Sequence, residues 1–222
     1  MSIKFNDSSS NMKEIYFNDK KLQKVYFNDV LVWTSVTYID VPSAVNVTYD
    51  GSSHYGCASG AGYTRSGTGT NAGSYTTTLT LKSGYMWSDG TSESKTIKWK
   101  IYKAEFTGVQ LRLGTSSPYY VQWRILGPDC AAGKSFDVTW EISNTHTTVE
   151  QPRASGSESY KASSAGNLVE SNTGTYTSKN PSDYKYYGTW EFGGSTNFKA
   201  FSFECTKRNA KKIERGTYVT IV

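Results

Sequence analysis

Ile97, Trp99 and Ile101 alternate with Lys98 and Lys100 in the stretch KTIKWKI. A side-chain period of two puts the apolar residues on one face of an extended chain and the lysines on the other. A helix would scatter them around its axis, so this pattern demands a strand with one buried face. The pattern recurs. Tyr75, Thr77, Leu79 and Leu81 alternate with threonines and Lys82. Val121, Trp123 and Ile125 alternate with Gln122 and Arg124, and Phe136, Val138 and Trp140 with Asp137, Thr139 and Glu141. Trp190 and Phe192 flank Glu191, and Phe201 and Phe203 flank Ser202. No long run of Ala, Leu, Glu and Lys at helical spacing competes with these strands. The reading is an all-β chain.

Composition agrees. Aromatics supply 14% of the 222 residues and charged residues only 19%, a balance that suits half-buried pleated surfaces. The chain is long enough for several small β-domains or one large one. The N-terminus MSIKFNDSSS lacks the apolar core of a secretory signal, and no apolar run approaches the ~20 residues that span a bilayer. We therefore expect no signal peptide and no membrane insertion. Three widely spaced cysteines, Cys57, Cys130 and Cys205, do not make a disulfide framework and predict reduced thiols from cytoplasmic synthesis. The net charge of +5 is spread thinly, with one cluster (Lys207, Arg208, Lys211, Lys212 and Arg215) that reads as a solvated turn between strands. A nucleic-acid partner is not expected.

Three domains are expected. Residues 1–33 form an N-terminal β-hairpin segment, residues 34–101 a small β-sandwich, and residues 102–222 a second sandwich or jelly-roll-like domain. In the first, IKFND, EIYFND and KVYFND each run a phenylalanine into Asn-Asp. Asn and Asp tolerate positive φ and suit the two-residue turns of antiparallel hairpins, so the repeats are turn chemistry and not a ligand site. KKLQKVYF is read as one strand between two such turns. Minimal strands cannot bury themselves and need a partner. Ile15, Tyr16, Phe17, Val25, Tyr26, Phe27 and Trp33 are the expected assembly interface.

The stretch TNAGSYTTTLTLKSGYMWSDGTSESKTIKWKI resembles the C-terminal half of bacterial immunoglobulin-like modules, over roughly residues 41–101. KEIYFNDKKLQKVYFNDVLVW is similar to short hairpin segments in virion proteins of phages and prophages. The two resemblances imply a structural or accessory protein of a tailed phage or phage-like particle, a tail component or a head decoration. They imply a location in the virion, other virion proteins and further copies of the chain as partners, and attachment to a host-surface glycan or protein. The competing class is a carbohydrate-binding or adhesion module of a bacterial surface protein.

Motifs for chemistry fail on spacing or context. GPDCAAGKS is not a phosphate-binding loop, because Gly127 and Gly133 are one residue too far apart and a strand pattern follows Ser135. A hairpin loop between strands 121–126 and 135–142 is expected there. GAGYTRSGTG lies outside any βαβ unit and reads as a flexible loop. His54 and His146 make no metal pattern with the cysteines, and no calcium loop is present. No catalytic, cofactor-binding or metal residues are assigned, and the chain is read as a non-enzyme. Ser143–Tyr187 carries Tyr160, Tyr176, Tyr184, Tyr186 and Tyr187 among small polar residues. Tyrosine offers a broad rigid contact with a polar tip, so these five are the candidate host or glycan contacts.

Overall fold

A computed structural model describes residues 3–6, 14–22, 24–115, 119–146, 154–161, 168–176, 184–193, 196–210 and 212–222. The chain is all-β, with one 3-10 turn and one four-residue helical turn among the described residues. It divides into two compact units. The first comprises Met1–Asn46, Ser53–Gly69 and Ser74–Lys100, and the second Val47–Ser52, Thr70–Gly73 and Ile101–Val222. The N-terminal hairpins thus group with the first unit, and two short segments from the middle of the chain group with the second.

At the N-terminus β1 (Ile3–Asn6), β2 (Glu14–Phe17) and β3 (Lys20–Lys21) form an antiparallel sheet, and β4 (Lys24–Phe27) and β5 (Val30–Thr34) a separate hairpin. KKLQKVYF is therefore two strands and not the one expected. The chain breaks at Leu22, whose amide donates to the Ile15 carbonyl at 2.7 Å. Both two-residue turns are Asn-Asp with positive φ throughout, 48° and 62° at Asn18 and Asp19, 48° and 63° at Asn28 and Asp29. Two left-handed residues in succession define a type I′ turn, whose twist matches that of the strands it joins.

The core of the first unit is enclosed by β6 (Thr37–Ile39), β8 (Tyr63–Ser66), β9 (Gly73–Leu81), β10 (Tyr85–Trp87) and β11 (Lys95–Tyr102); β7 (Val47–Thr48) belongs to the second unit. β6 and β10 pair in parallel, and β11, β9 and β8 form a neighbouring sheet. Trp87, Leu79, Ile97, Tyr63 and Cys57 meet between them, joined by Ile39 and Leu81. The alternation in KTIKWKI is realised, with Ile97, Trp99 and Ile101 buried and Lys98 and Lys100 exposed. The glycine-rich stretch is packed and not a loose loop. A Cβ on Gly56 would fall 2.0 Å from the Trp99 ring, and one on Gly69 2.7 Å from that of Tyr75.

The second unit adds β12 (Gly108–Leu113), β13 (Tyr119–Leu126), β14 (Ser135–His146), β15 (Ala154–Lys161), β16 (Leu168–Tyr176), β17 (Tyr184–Gly193), β18 (Phe201–Cys205), α1 (Lys207–Ala210) and β19 (Val219–Thr220). They make two four-stranded sheets, ordered β16-β13-β12-β19 and β15-β14-β17-β18. Trp123 of one sheet meets Phe192 of the other edge to face at 5.4 Å. Phe106, between β11 and β12, contacts Phe136, Phe192 and Phe198 with ring centres 5.1 to 5.9 Å apart. Inward rows from two sheets meeting on one aromatic core make a β-sandwich.

GPDCAAGKS is not the expected hairpin loop. β13 and β14 lie in different sheets, so the segment crosses from one layer to the other through a 3-10 turn at Asp129–Ala131. Crossing lets Trp123 and Phe136, from consecutive strands, reach the same core.

Candidate functional site

The hairpin β4–β5 carries the most exposed apolar side chains described. Tyr26 is 55% exposed, Phe27 69%, Val30 64% and Val32 55%. Register explains the concentration. Phe27 pairs with Val30 beside the turn, and a shift between Val25 and Tyr26 leaves Val32 as an extra residue on β5. Tyr26 and Phe27 are adjacent in one strand, so both faces of the hairpin tip present apolar surface. Among the described residues β4 pairs only with β5. Of the expected interface, Tyr26 and Phe27 are exposed and Tyr16, Phe17, Val25 and Trp33 half-buried, whereas Ile15 is buried at 4% exposure. Val30 and Val32 were missing from the expected interface, although VLVW follows the Asn28-Asp29 turn as the hairpin partner of KVYF.

The five tyrosines do not gather on one strand. Tyr184, Tyr186 and Tyr187 lie on β17, and Tyr160 on β15 of the same sheet. Tyr176 lies on β16 of the other sheet. Their side chains fall outside the described residues.

A groove of about 660 Å³ in the second unit is lined by Thr48, Tyr102, Lys103, Glu105 and Lys199. Lys199 and Glu105 form an ion pair at its edge, and half of Tyr102 is accessible. A smaller recess of about 450 Å³ on the face of β14, β17 and β18 includes Asp137, Thr139, Glu191 and Ser202. Both carboxylates there are exposed.

On the outer face of β12 and β13, Gln110 stands opposite Arg124 and Arg112 opposite Gln122. Arg124 Nε donates to Gln110 Oε1 at 2.7 Å and Arg112 Nε to Gln122 Oε1 at 2.6 Å. Gln110 Nε2 and Thr220 Oγ1 are 3.1 Å apart, tying β19 to the row. Tyr218 completes the patch, with the Cζ atoms of Arg112 and Arg124 at 4.2 and 3.9 Å from its ring centre. Sequence reading missed this patch, although VQLRL and VQWRI both signal it by placing Gln and Arg two residues apart on the polar face.

All three cysteines are free thiols. Burial pushes the Cys205 thiol up to about 12, with Glu204 adding to the effect, and burial also raises Cys130. Neither is poised as a thiolate nucleophile. Lys95, then Thr91, hold the Asp89 carboxyl well below the usual range at the turn after β10. Among the described residues no three His, Cys, Asp or Glu side chains are placed to hold a metal ion, and no helix is long and apolar enough to cross a membrane. No family model, curated protein or solved structure matches the chain.

Proposed function

We propose that this chain is a non-enzymatic structural or accessory protein of a tailed phage or phage-like particle, anchored by its N-terminal hairpins. The observation that carries the anchoring is the β4–β5 tip, where Tyr26, Phe27, Val30 and Val32 are each more than half exposed. Burying such side chains is worth roughly 1.5–3 kcal/mol each, and a two-stranded hairpin is marginal without that gain. A neighbouring virion protein adding a strand beside β4, or closing over both faces of the tip, would supply it. Assignment to a phage particle rests on the resemblances of residues 13–33 and 41–101. In this reading the sandwich of the second unit is left for contact with the host surface.

The test is incorporation. Phe27→Asp combined with Val30→Asp alters only exposed positions, so the chain should keep its circular dichroism and melting behaviour. It should also disappear from purified particles. Wild-type occupancy of the double variant in particles would sink the anchoring role.

The alternative, a carbohydrate-binding or adhesion module, is favoured by the Tyr102 groove, where an accessible ring lies beside hydrogen-bonding Thr48, Glu105 and Lys199. Tyr102→Ala should then abolish binding to a glycan array. An array on which the wild-type chain is silent removes this reading.

A further inference from the structure

We infer that the outer edge of β4 pairs with β4 of a second copy of this chain, antiparallel and in a register that sets Tyr26 opposite its own counterpart. The inference rests on the anchoring reading, in which the β4–β5 tip is an assembly surface, and names the neighbour at that edge.

The chain already pairs this motif with itself. β1 and β2 carry the first two copies of the repeat that runs Phe into Asn-Asp. They lie antiparallel, with Ile3 opposite Phe17, Lys4 opposite Tyr16 and Phe5 opposite Ile15. Each phenylalanine thus stands across from the isoleucine of the other copy, and the middle residues stand across from one another. β4 carries the third copy, with Val25, Tyr26 and Phe27 in the places of Ile15, Tyr16 and Phe17.

Strand parity identifies the edge. Phe17 pairs with Lys20 beside the first turn, and Phe27 with Val30 beside the second. Backbone groups alternate between the two edges of a strand, so Tyr16 and Tyr26 each aim N–H and C=O away from the hairpin partner. On β2 that edge takes β1, whereas among the described residues no strand takes it on β4. The usual protections of an edge are missing there, since β4 has no proline and the register shift places its extra residue on β5.

A second β4 fits this edge. The β1–β2 register, applied to two copies of β4, sets Val25 opposite Phe27 twice and Tyr26 opposite Tyr26 on a two-fold axis. Each Tyr26 amide then donates to the other Tyr26 carbonyl. Lys24 falls opposite Asn28 and meets no like charge. Tyr26 and Phe27, both more than half exposed in the single chain, gain cross-strand neighbours. β1 and β2 satisfy one another, so β4 is the copy of the repeat whose mate must come from another molecule.

Sedimentation equilibrium of the full-length chain should give twice 24.6 kDa, with dissociation on dilution. Tyr26→Pro removes the outward amide at an edge position, and by symmetry both bonds at the axis. It should weaken the dimer about thirtyfold. Tyr26→Lys sets two like charges opposite each other and should weaken it about tenfold. Tyr26→Cys should cross-link to its counterpart under mild oxidation, because paired Cα atoms about 5.5 Å apart lie within reach of a disulfide. Val32→Cys, equally exposed but on the outer strand, should not. A chain that stays monomeric at every concentration, a dimer indifferent to both Tyr26→Pro and Tyr26→Lys, or cross-linking no faster at 26 than at 32 would overturn the inference. Particle occupancy separates it from the anchoring role. A monomeric chain whose Phe27→Asp, Val30→Asp variant is lost from particles would keep the anchor and overturn this partner. A dimer that Tyr26→Lys breaks without loss of occupancy would uphold the pairing and remove it from anchoring.

Discussion

Gly56 lies flat against the indole of Trp99, so close that a Cβ would sit 2.0 Å from Cδ1 and Cγ. Trp99 cannot step aside easily, because it is buried and its ring centre is 5.1 Å from that of Tyr75. Gly56→Ala should therefore destabilise the first unit by about 1–3 kcal/mol through overpacking. Urea denaturation followed by tryptophan fluorescence would show a lower midpoint with an unchanged slope. An unchanged midpoint would mean that the indole repacks freely.

Thr77 is the one buried polar side chain among the described residues that spans two backbone segments. Its hydroxyl accepts from the Gly56 amide at 3.3 Å and donates to the Gly67 carbonyl at 2.9 Å. Thr77→Val fills the same space and leaves both groups without that oxygen, for a loss of about 1–3 kcal/mol. Thr77→Ser keeps the oxygen and should lose less, about the value of one methyl group. A Thr77→Val variant as stable as the wild type would show that the hydroxyl does not matter.

Cys205 gives the second unit a distinctive response to alkali. Its thiol is raised from 9.0 to about 12 in the folded chain, so the unfolded chain gives up the proton first. Between those values the folded state binds more protons, and stability must fall as pH rises. The contribution is whole below pH 9, then declines on the order of 1.4 kcal/mol per pH unit until the folded thiol ionises. Cys205→Ala should remove one proton's worth of slope from the pH dependence of unfolding in that window. A variant whose slope matches the wild type would exclude this role.

At the tip of the hairpin, Asp29 holds φ of 63° without being glycine. A left-handed conformation disfavours a residue with a Cβ by roughly 1–2 kcal/mol, though Asp is penalised less than most. Asp29→Gly should slow amide exchange across β4 and β5, and Asp29→Val should accelerate it. Exchange rates that respond to neither substitution would show that the turn does not limit opening of the hairpin.

Strands with a strict period of two could be read directly. Lys95–Tyr102 and Gly73–Leu81 have the inward rows that Ile97, Trp99, Thr77 and Leu79 announce. Which sheet a strand joins could not be read this way, because alternation is the same in either layer. That is why GPDCAAGKS was taken for a hairpin loop when it links two sheets. Tyr85–Trp87 escaped notice because a three-residue strand has no room to alternate, and its parallel partner Thr37–Ile39 lies far away in sequence. The Arg112–Arg124–Tyr218 patch was hidden for a similar reason. Its phenol arrives on the segment leading into a two-residue strand, some hundred residues after Arg112 and Arg124.

The chain passes between its two units at five places, at Asn46, Ser52, Gly69, Gly73 and Lys100. The last passage falls within a single strand, β11, whose Ile101 and Tyr102 pair with Val47 and Thr48. A module joined to its neighbour by one linker can be excised, duplicated or exchanged by a single genetic crossover. This chain offers no such seam. A gene fragment starting at residue 101 would lose Val47–Ser52 and Thr70–Gly73, and with them the Tyr49 ring against Phe198 and the Ala72 amide bound to Asn197. Separating the two units would take five cuts in the chain.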